Sequence, residues 1–198
     1  MKCFFDTEFL EDGKGIELIS VAIVSEDGDE YYACVKDADW NRISEDAWLK
    51  QHVLPFLPPK DDEAWKTRSQ IAKEIVAFVG DHPEFYADYS AYDWVALCQL
   101  YGKMIHLPDT WPMFCRDIQH LKEIVGIDEF PSMGENEHQA LIDARETKAR
   151  YDMCMGAAKA KGITLERPKL ASRLRKALRE GLAYAREDQN LRTTRFKR

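Results

Sequence analysis

No stretch of this 198-residue chain approaches the roughly 20 consecutive apolar residues that a membrane-spanning helix needs, so no helical span is expected. The opening Met1-Lys2-Cys3-Phe4-Phe5-Asp6 brings in an acid too early for a secretory signal, and the protein is expected to stay in the cytoplasm. Cysteines are few and odd in number: Cys3, Cys34, Cys98, Cys115 and Cys154 are widely spaced and form no Cys-x-x-Cys pair. That removes the usual zinc-binding and dithiol redox patterns and leaves reduced, buried small hydrophobes. Internal repeats and low-complexity tracts are missing too. Nor is there a basic excess, since 28 Lys and Arg stand against 35 Asp and Glu, for a net charge of −7.

What is present suffices for one substantial core, with 45% hydrophobic and 11% aromatic residues. The charge is unevenly divided. Residues 1–165 carry 17 basic and 31 acidic side chains, net −14, whereas residues 166–198 carry 11 and 4, net +7. We expect a catalytic domain over 1–165 and a basic appendage over 166–198. An acidic body is a poor nonspecific polyanion binder unless cations neutralise its acids locally.

Strand-like runs open the chain at Lys2 to Asp6, Ile16 to Ser25 and Glu30 to Val35, separated by turns at Asp12-Gly13 and Asp27-Gly28. They predict a three-stranded antiparallel meander. Leu54-Pro55-Phe56-Leu57-Pro58-Pro59 breaks a short helix near 45–53 from a longer one near 67–80, whose apolar residues are Ile71, Ile75, Val76, Phe78 and Val79. Then come a buried strand over Glu84 to Asp88, a helix over Ala91 to Tyr101, a short strand over Trp111 to Cys115 and a helix over Asp117 to Val125. A last helix should start after Gly134, with Asn136 as its cap and Gln139 three residues on, and run to about Lys161. Strands first, then alternating helices and strands, predict an α/β fold with a mixed sheet flanked by helices.

The chemistry starts with Phe4-Phe5-Asp6-Thr7-Glu8-Phe9. Asp6 and Glu8 sit two apart on a strand, so their carboxylates share a face while Phe5 and Thr7 point the other way. Two anions that close repel, and a divalent cation between them would remove the repulsion and use both as hard oxygen ligands. Alone, the pair also fits a solvated edge. Far downstream lies Glu137-His138-Gln139-Ala140-Leu141-Ile142-Asp143-Ala144. Five residues apart, His138 and Asp143 cannot share a helical face. With His138 in a displaced first turn, its imidazole could still reach over a metal held by Asp143. A third acid, Asp93, stands between Tyr92 and Trp94 at a helix start; Asp88 is its rival. His52, His82, His106 and His120 have no such companions and are expected to be structural or surface residues.

Asp-x-Glu on the first strand, Tyr-Asp at a mid-chain helix start and His-x-Ala-x-x-Asp-Ala on a late helix resemble the DEDDh 3′–5′ exonucleases. The segment Asp6 to Gly13 with Ile16 to Ser20, and Ala91-Tyr92-Asp93 with Val95 to Leu100, is similar to the small 3′–5′ exoribonuclease family first known from mycobacteria. The resemblance implies an RNase H-like fold, with Asp6, Glu8, Asp93 and Asp143 as ligands of two Mg²⁺ or Mn²⁺ ions and His138 as general base. It also implies single-stranded RNA as substrate, nucleoside 5′-monophosphates as products, and a homodimer. Departures concern substrate preference: Phe9-Leu10 replaces a usual Thr-Thr-Gly continuation, and Tyr89 stands where many relatives have asparagine. Thr7, Phe9 and Leu10 are candidate substrate contacts, with a core role for Phe9 as the alternative. A DNA exonuclease would use the same acids and histidine, because the choice of sugar depends on contacts to the 2′-hydroxyl. A catalytically silent nucleic-acid-binding module is the remaining alternative, although it would have no chemical need for this set.

In the tail, Leu170, Leu174, Leu178 and Leu182 recur among Arg173, Arg175, Lys176 and Arg179, predicting a basic amphipathic helix. It either packs against protein or delivers nucleic acid to the acidic body. Deleting residues 166–198 separates the two: insolubility on expression marks a packed helix, whereas a soluble enzyme with weaker, less salt-sensitive RNA binding marks an electrostatic arm.

Overall fold

The computed structural model describes residues 1–131 and 138–165. Its first compact unit, Met1–Ala157, holds the sheet and the helices around it; the second, Ala158–Arg198, begins inside the last helix and is described only to residue 165. The predicted cap Asn136 and the basic tail helix lie outside the described residues.

In chain order the elements are β1 (Lys2–Glu11), β2 (Ile16–Ser25), β3 (Glu30–Val35), α1 (Trp40–Ile43), α2 (Ala47–His52), β4 (Trp65–Lys66), α3 (Arg68–Val79), β5 (Glu84–Ala87), α4 (Ala91–Gln99), β6 (Arg116–Asp117), α5 (Ile118–Val125) and α6 (Ala140–Ala160). The sheet order is β4-β3-β2-β1-β5-β6. The first three strands form the expected antiparallel meander, and β4, β5 and β6 each join in parallel with a neighbour. This is the mixed α/β architecture expected of an RNase H-like fold. No helix among the described residues is long and apolar enough to cross a membrane.

Alternation along β1 assigns its side chains to two layers. Cys3 and Phe5 join the larger core with Ile71 and Ile75 of α3 and Trp94 and Leu97 of α4. On the other face, Phe4 packs with Tyr86 and Ile118, and Ala22 and Val24 pack with Ala140 and Ala144 of α6. The small side chains at Ala22, Ala140 and Ala144 bring α6 close to the strands. A bulge shifts the β1–β2 register between Glu8 and Phe9, so that Phe9 faces Leu18 and Ile19 is skipped. Ile19 and Leu10 there close a separate small core with Ile43, Leu49 and Val53 under α1 and α2.

Several sequence expectations are corrected. β1 runs to Glu11 rather than stopping at Asp6, because β2 pairs with it along its whole length, and both acids therefore lie inside a strand. The segment 111–115 is not a strand. Trp111 is a buried plug whose indole N–H donates to the Gly80 carbonyl, and the strand forms at Arg116–Asp117 instead. The two-residue β4 and the single turn of α1 are too short to show a period. Val76, read as apolar face, is exposed, while Ile71, Ile75 and Val79 alone make the buried stripe of α3. The last helix begins at Ala140, so His138 precedes it.

The five cysteines are free, and all but the half-buried Cys115 are buried, as expected. α3 starts with a reciprocal capping box, in which the Gln70 N–H donates to the Thr67 hydroxyl and the Thr67 N–H donates to the Gln70 side chain at 2.9 Å. Thr67→Ala should therefore cost about 1 kcal/mol in urea unfolding. An unchanged midpoint would mean that Gln70 alone holds this helix start.

Candidate active site

The fold gathers acids from three elements. Asp6 and Glu8 project from β1 toward the α6 side of the sheet, and α6 brings Asp143 to them. One oxygen from each carboxylate lies within 4.8 Å of the others. A cleft of about 520 Å³ opens over this trio, and Asp88, Asp93 and His138 line it as well. Its aromatic and apolar lining includes Phe9, Leu10, Trp48, Tyr89 and Tyr92, with the Phe9 and Tyr92 rings 5.8 Å apart.

Asp93 arrives from the opposite side of β1. Its Oδ1 accepts the Thr7 backbone N–H at 3.0 Å and the Thr7 hydroxyl at 2.6 Å, all in buried surroundings. The sequence assigned Thr7 little by itself beyond a possible substrate contact. Its hydroxyl is instead committed to Asp93, on the face away from Asp6 and Glu8. The other two candidate contacts divide: Leu10 is buried in the small core under α1 and α2, while Phe9 is half-buried.

His138 sits in the left-handed region, at φ 73°, just before α6, and its backbone N–H donates to Asp143 Oδ2 at 3.0 Å. This backbone turn, rather than a displaced helical turn, brings the pair to one cleft. The His138 ring meets the edge of Trp48 with centroids 4.7 Å apart, and His52 lies 6.0 Å from His138 and 5.0 Å from Trp48. His52, expected to have no companions, thus belongs to an aromatic group at the cleft wall. The signal was present as Trp48 and His52 four apart on one helical face.

Asp88, the rival acid, also lines the cleft, but its oxygens are taken. Gln119 Nε2 donates to Oδ1 at 2.7 Å, and Arg150 pairs with Oδ2. Asp117 accepts the Ser90 N–H at 2.8 Å and the Gln119 N–H at 2.8 Å, tying the loop before α4 to the start of α5.

The electrostatics follow from burial and crowding. Burial, followed by repulsion from Asp93, Glu8 and Asp143, pushes the Asp6 carboxyl well above its usual range. Glu8 is pushed up to about 8 by burial and then by Asp143 and Asp93. Asp93 and Asp143 rise to about 6, again through burial, with the Thr7 and His138 donors working against the rise. Among the described residues neither Asp6 nor Glu8 has an ion-pair partner. Hard oxygen donors and mutual repulsion, with no ion-pair partner on Asp6 or Glu8 among the described residues, make this a set suited to a hard divalent cation.

A family model described as the 3′–5′ exoribonuclease Rv2179c-like domain matches residues 1–155, which include every residue of the cleft named above. Two curated proteins of Mycobacterium tuberculosis are similar to the chain: 3′–5′ exoribonuclease Rv2179c of strain H37Rv and 3′–5′ exoribonuclease MT2234.1 of strain CDC 1551. Each is 44% identical over 155 residues, covering 76% of this chain and 91% of the relative.

A carboxyl whose pKa is higher in the folded than in the unfolded state stabilises the fold below its unfolded value and loses that contribution as pH rises through the folded value. With Glu8 at about 8 and Asp93 and Asp143 at about 6, metal-free protein should lose thermal stability as pH is raised toward about 8. Mg²⁺ should restore it, and Asp6→Asn should raise the melting temperature in EDTA at neutral pH. A flat pH profile in EDTA would contradict this electrostatic account.

Proposed function

The chain belongs to the 3′–5′ exoribonuclease Rv2179c-like family, and from that premise we propose that it removes nucleoside 5′-monophosphates from the 3′ ends of single-stranded RNA by metal-dependent hydrolysis. The observation that carries this reading is the trio Asp6, Glu8 and Asp143, with oxygens within 4.8 Å and no direct ion pair to any of the three among the described residues. These three carboxylates, joined by Asp93, are the groups that would hold a pair of divalent cations. When bound, the pair would supply Lewis-acid activation of water and stabilisation of the leaving 3′ oxygen.

The remaining work falls to the chain. Thr7 holds the Asp93 carboxylate through Oδ1 at the cleft. The N–H of His138 holds Asp143. His138 accepts the proton of the attacking water as oxygen bonds to phosphorus. The bond from phosphorus to the 3′ oxygen breaks, and that oxygen takes up a proton to become the 3′-hydroxyl of the shortened chain. The contact with Trp48 restrains the His138 ring. Phe9 and Tyr92 offer ring faces to the terminal base, a contact worth about 1–3 kcal/mol without demanding sequence. Such a cleft suits unpaired ends, whose bases are free to leave their stack.

The test uses 5′-labelled single-stranded RNA and DNA of one sequence with Mg²⁺, Mn²⁺ or EDTA. The expected result is a ladder shortening from the 3′ end, faster on RNA, absent in EDTA and with Asp6→Ala, and slowed about 10²–10⁴-fold by His138→Ala. Cleavage that survives both EDTA and Asp6→Ala would overturn the mechanism, and binding without cleavage would favour a silent module.

A further inference from the structure

Beside the acid trio a second cavity of about 330 Å³ is lined by Asp6 and Asp143 together with Asp88, Glu146 and Arg150. Asp88 directly follows the last residue of β5, and Arg150 lies seven residues past Asp143 on α6, two turns along the same helical face. The Arg150 guanidinium pairs with Asp88 Oδ2 and donates to Glu146 Oε2 at 3.0 Å, while Gln119 occupies Asp88 Oδ1. Asp88 is only 10% exposed and Arg150 24%. Arg150 Nε is buried without a hydrogen-bond partner among the described residues, so the guanidinium is incompletely satisfied where it stands.

A buried ion pair contributes little net stability, because desolvating both charges offsets their attraction. Its place beside the cluster calls for another account. Asp88 acts on the site through space, raising the carboxyls of Asp6 and Asp93, and Arg150 acts in the opposite sense on Asp143. Both side chains line one cavity with Asp6 and Asp143, so opposite charges stand beside different members of the same cluster.

We propose that Arg150 withholds the Asp88 carboxylate from the metal-binding set and that the two opposite charges together set how tightly the cluster holds divalent cations. The inference rests on the metal-dependent reading above and adds two positioning residues to it. Its physical content is a sign rule. Removing Asp88 leaves Arg150 with Glu146 alone, makes the group beside the cations less negative and weakens their binding. Removing Arg150 leaves Asp88 and Glu146 both unpaired and strengthens it. Removing both takes away one charge of each sign and restores the original net charge.

The experiment is calorimetric titration of Mn²⁺ into the full chain after EDTA stripping and dialysis, with thermal melts as a check on folding. Asp88→Asn should weaken Mn²⁺ binding and Arg150→Gln should tighten it, each on the order of tenfold. The double variant should return close to wild type, and Arg150→Lys, which keeps the charge, should stay nearer to wild type than Arg150→Gln. Weakening in both single variants would indicate disruption of the site's shape and overturn the inference, as would a double variant that falls outside the two singles. If Arg150→Gln does not fold, Asp88→Asn and Arg150→Lys still decide: unchanged binding in Asp88→Asn sinks the proposal. Wild type that binds Mn²⁺ while all variants match it overturns this inference alone, whereas wild type that binds no Mn²⁺ overturns the metal-dependent reading with it.

Discussion

Asp6, Glu8 and Asp143 hold oxygens within 4.8 Å of one another in partly or fully buried positions, and like charges so placed repel more strongly than they would in water. Much of the surrounding structure acts against that repulsion. β1 is central in the sheet, paired with β2 on one side and β5 on the other, so neither of its acids can swing away by fraying of an edge. α6 is seated close to the strands by alanine contacts, and its start is pinned by the His138 N–H on Asp143. The cluster is thus destabilising by itself and maintained by a core that does not depend on it.

The same strand feeds both layers of the molecule. Phe4, Asp6 and Glu8 look toward α6, and Phe5 and Thr7 toward α4. Asp93 therefore enters from the far side and is held through Thr7, a residue whose role is invisible until the two layers are superposed on one strand. This places the carboxylate under separate control from the trio. It also accounts for a buried, hydrogen-bonded threonine between two acids, where any apolar residue of similar size would satisfy the core.

Around the acids the cleft is aromatic rather than basic, with Phe9, Trp48, Tyr89 and Tyr92 in its lining and no lysine or arginine among the described residues there. On the proposed metal-dependent reading, affinity for an anionic strand would depend on cations at the carboxylates, on stacking, and on charges outside the cleft. Arg150, behind the cluster, is committed to Asp88 and Glu146. On that reading the acidity of the body would be part of the chemistry and not an obstacle to it.

The meander, the helices at 68–79, 91–99 and 118–125, and the pairing of Asp6 with Glu8 on one face were legible in the sequence, because hydrophobic period, turn glycines and capping residues act over short distances. So were Asp93, Asp143 and His138 as candidates, through residue type, order and resemblance. Only the tertiary structure decided which acids share a space, that His138 precedes its helix in a left-handed turn, that Thr7 serves Asp93, and that Arg150 claims Asp88. Each of these joins elements far apart in the chain or reverses a local preference. Local sequence specifies the direction of a side chain within its own element, but the distance between two elements is set by how their buried faces pack.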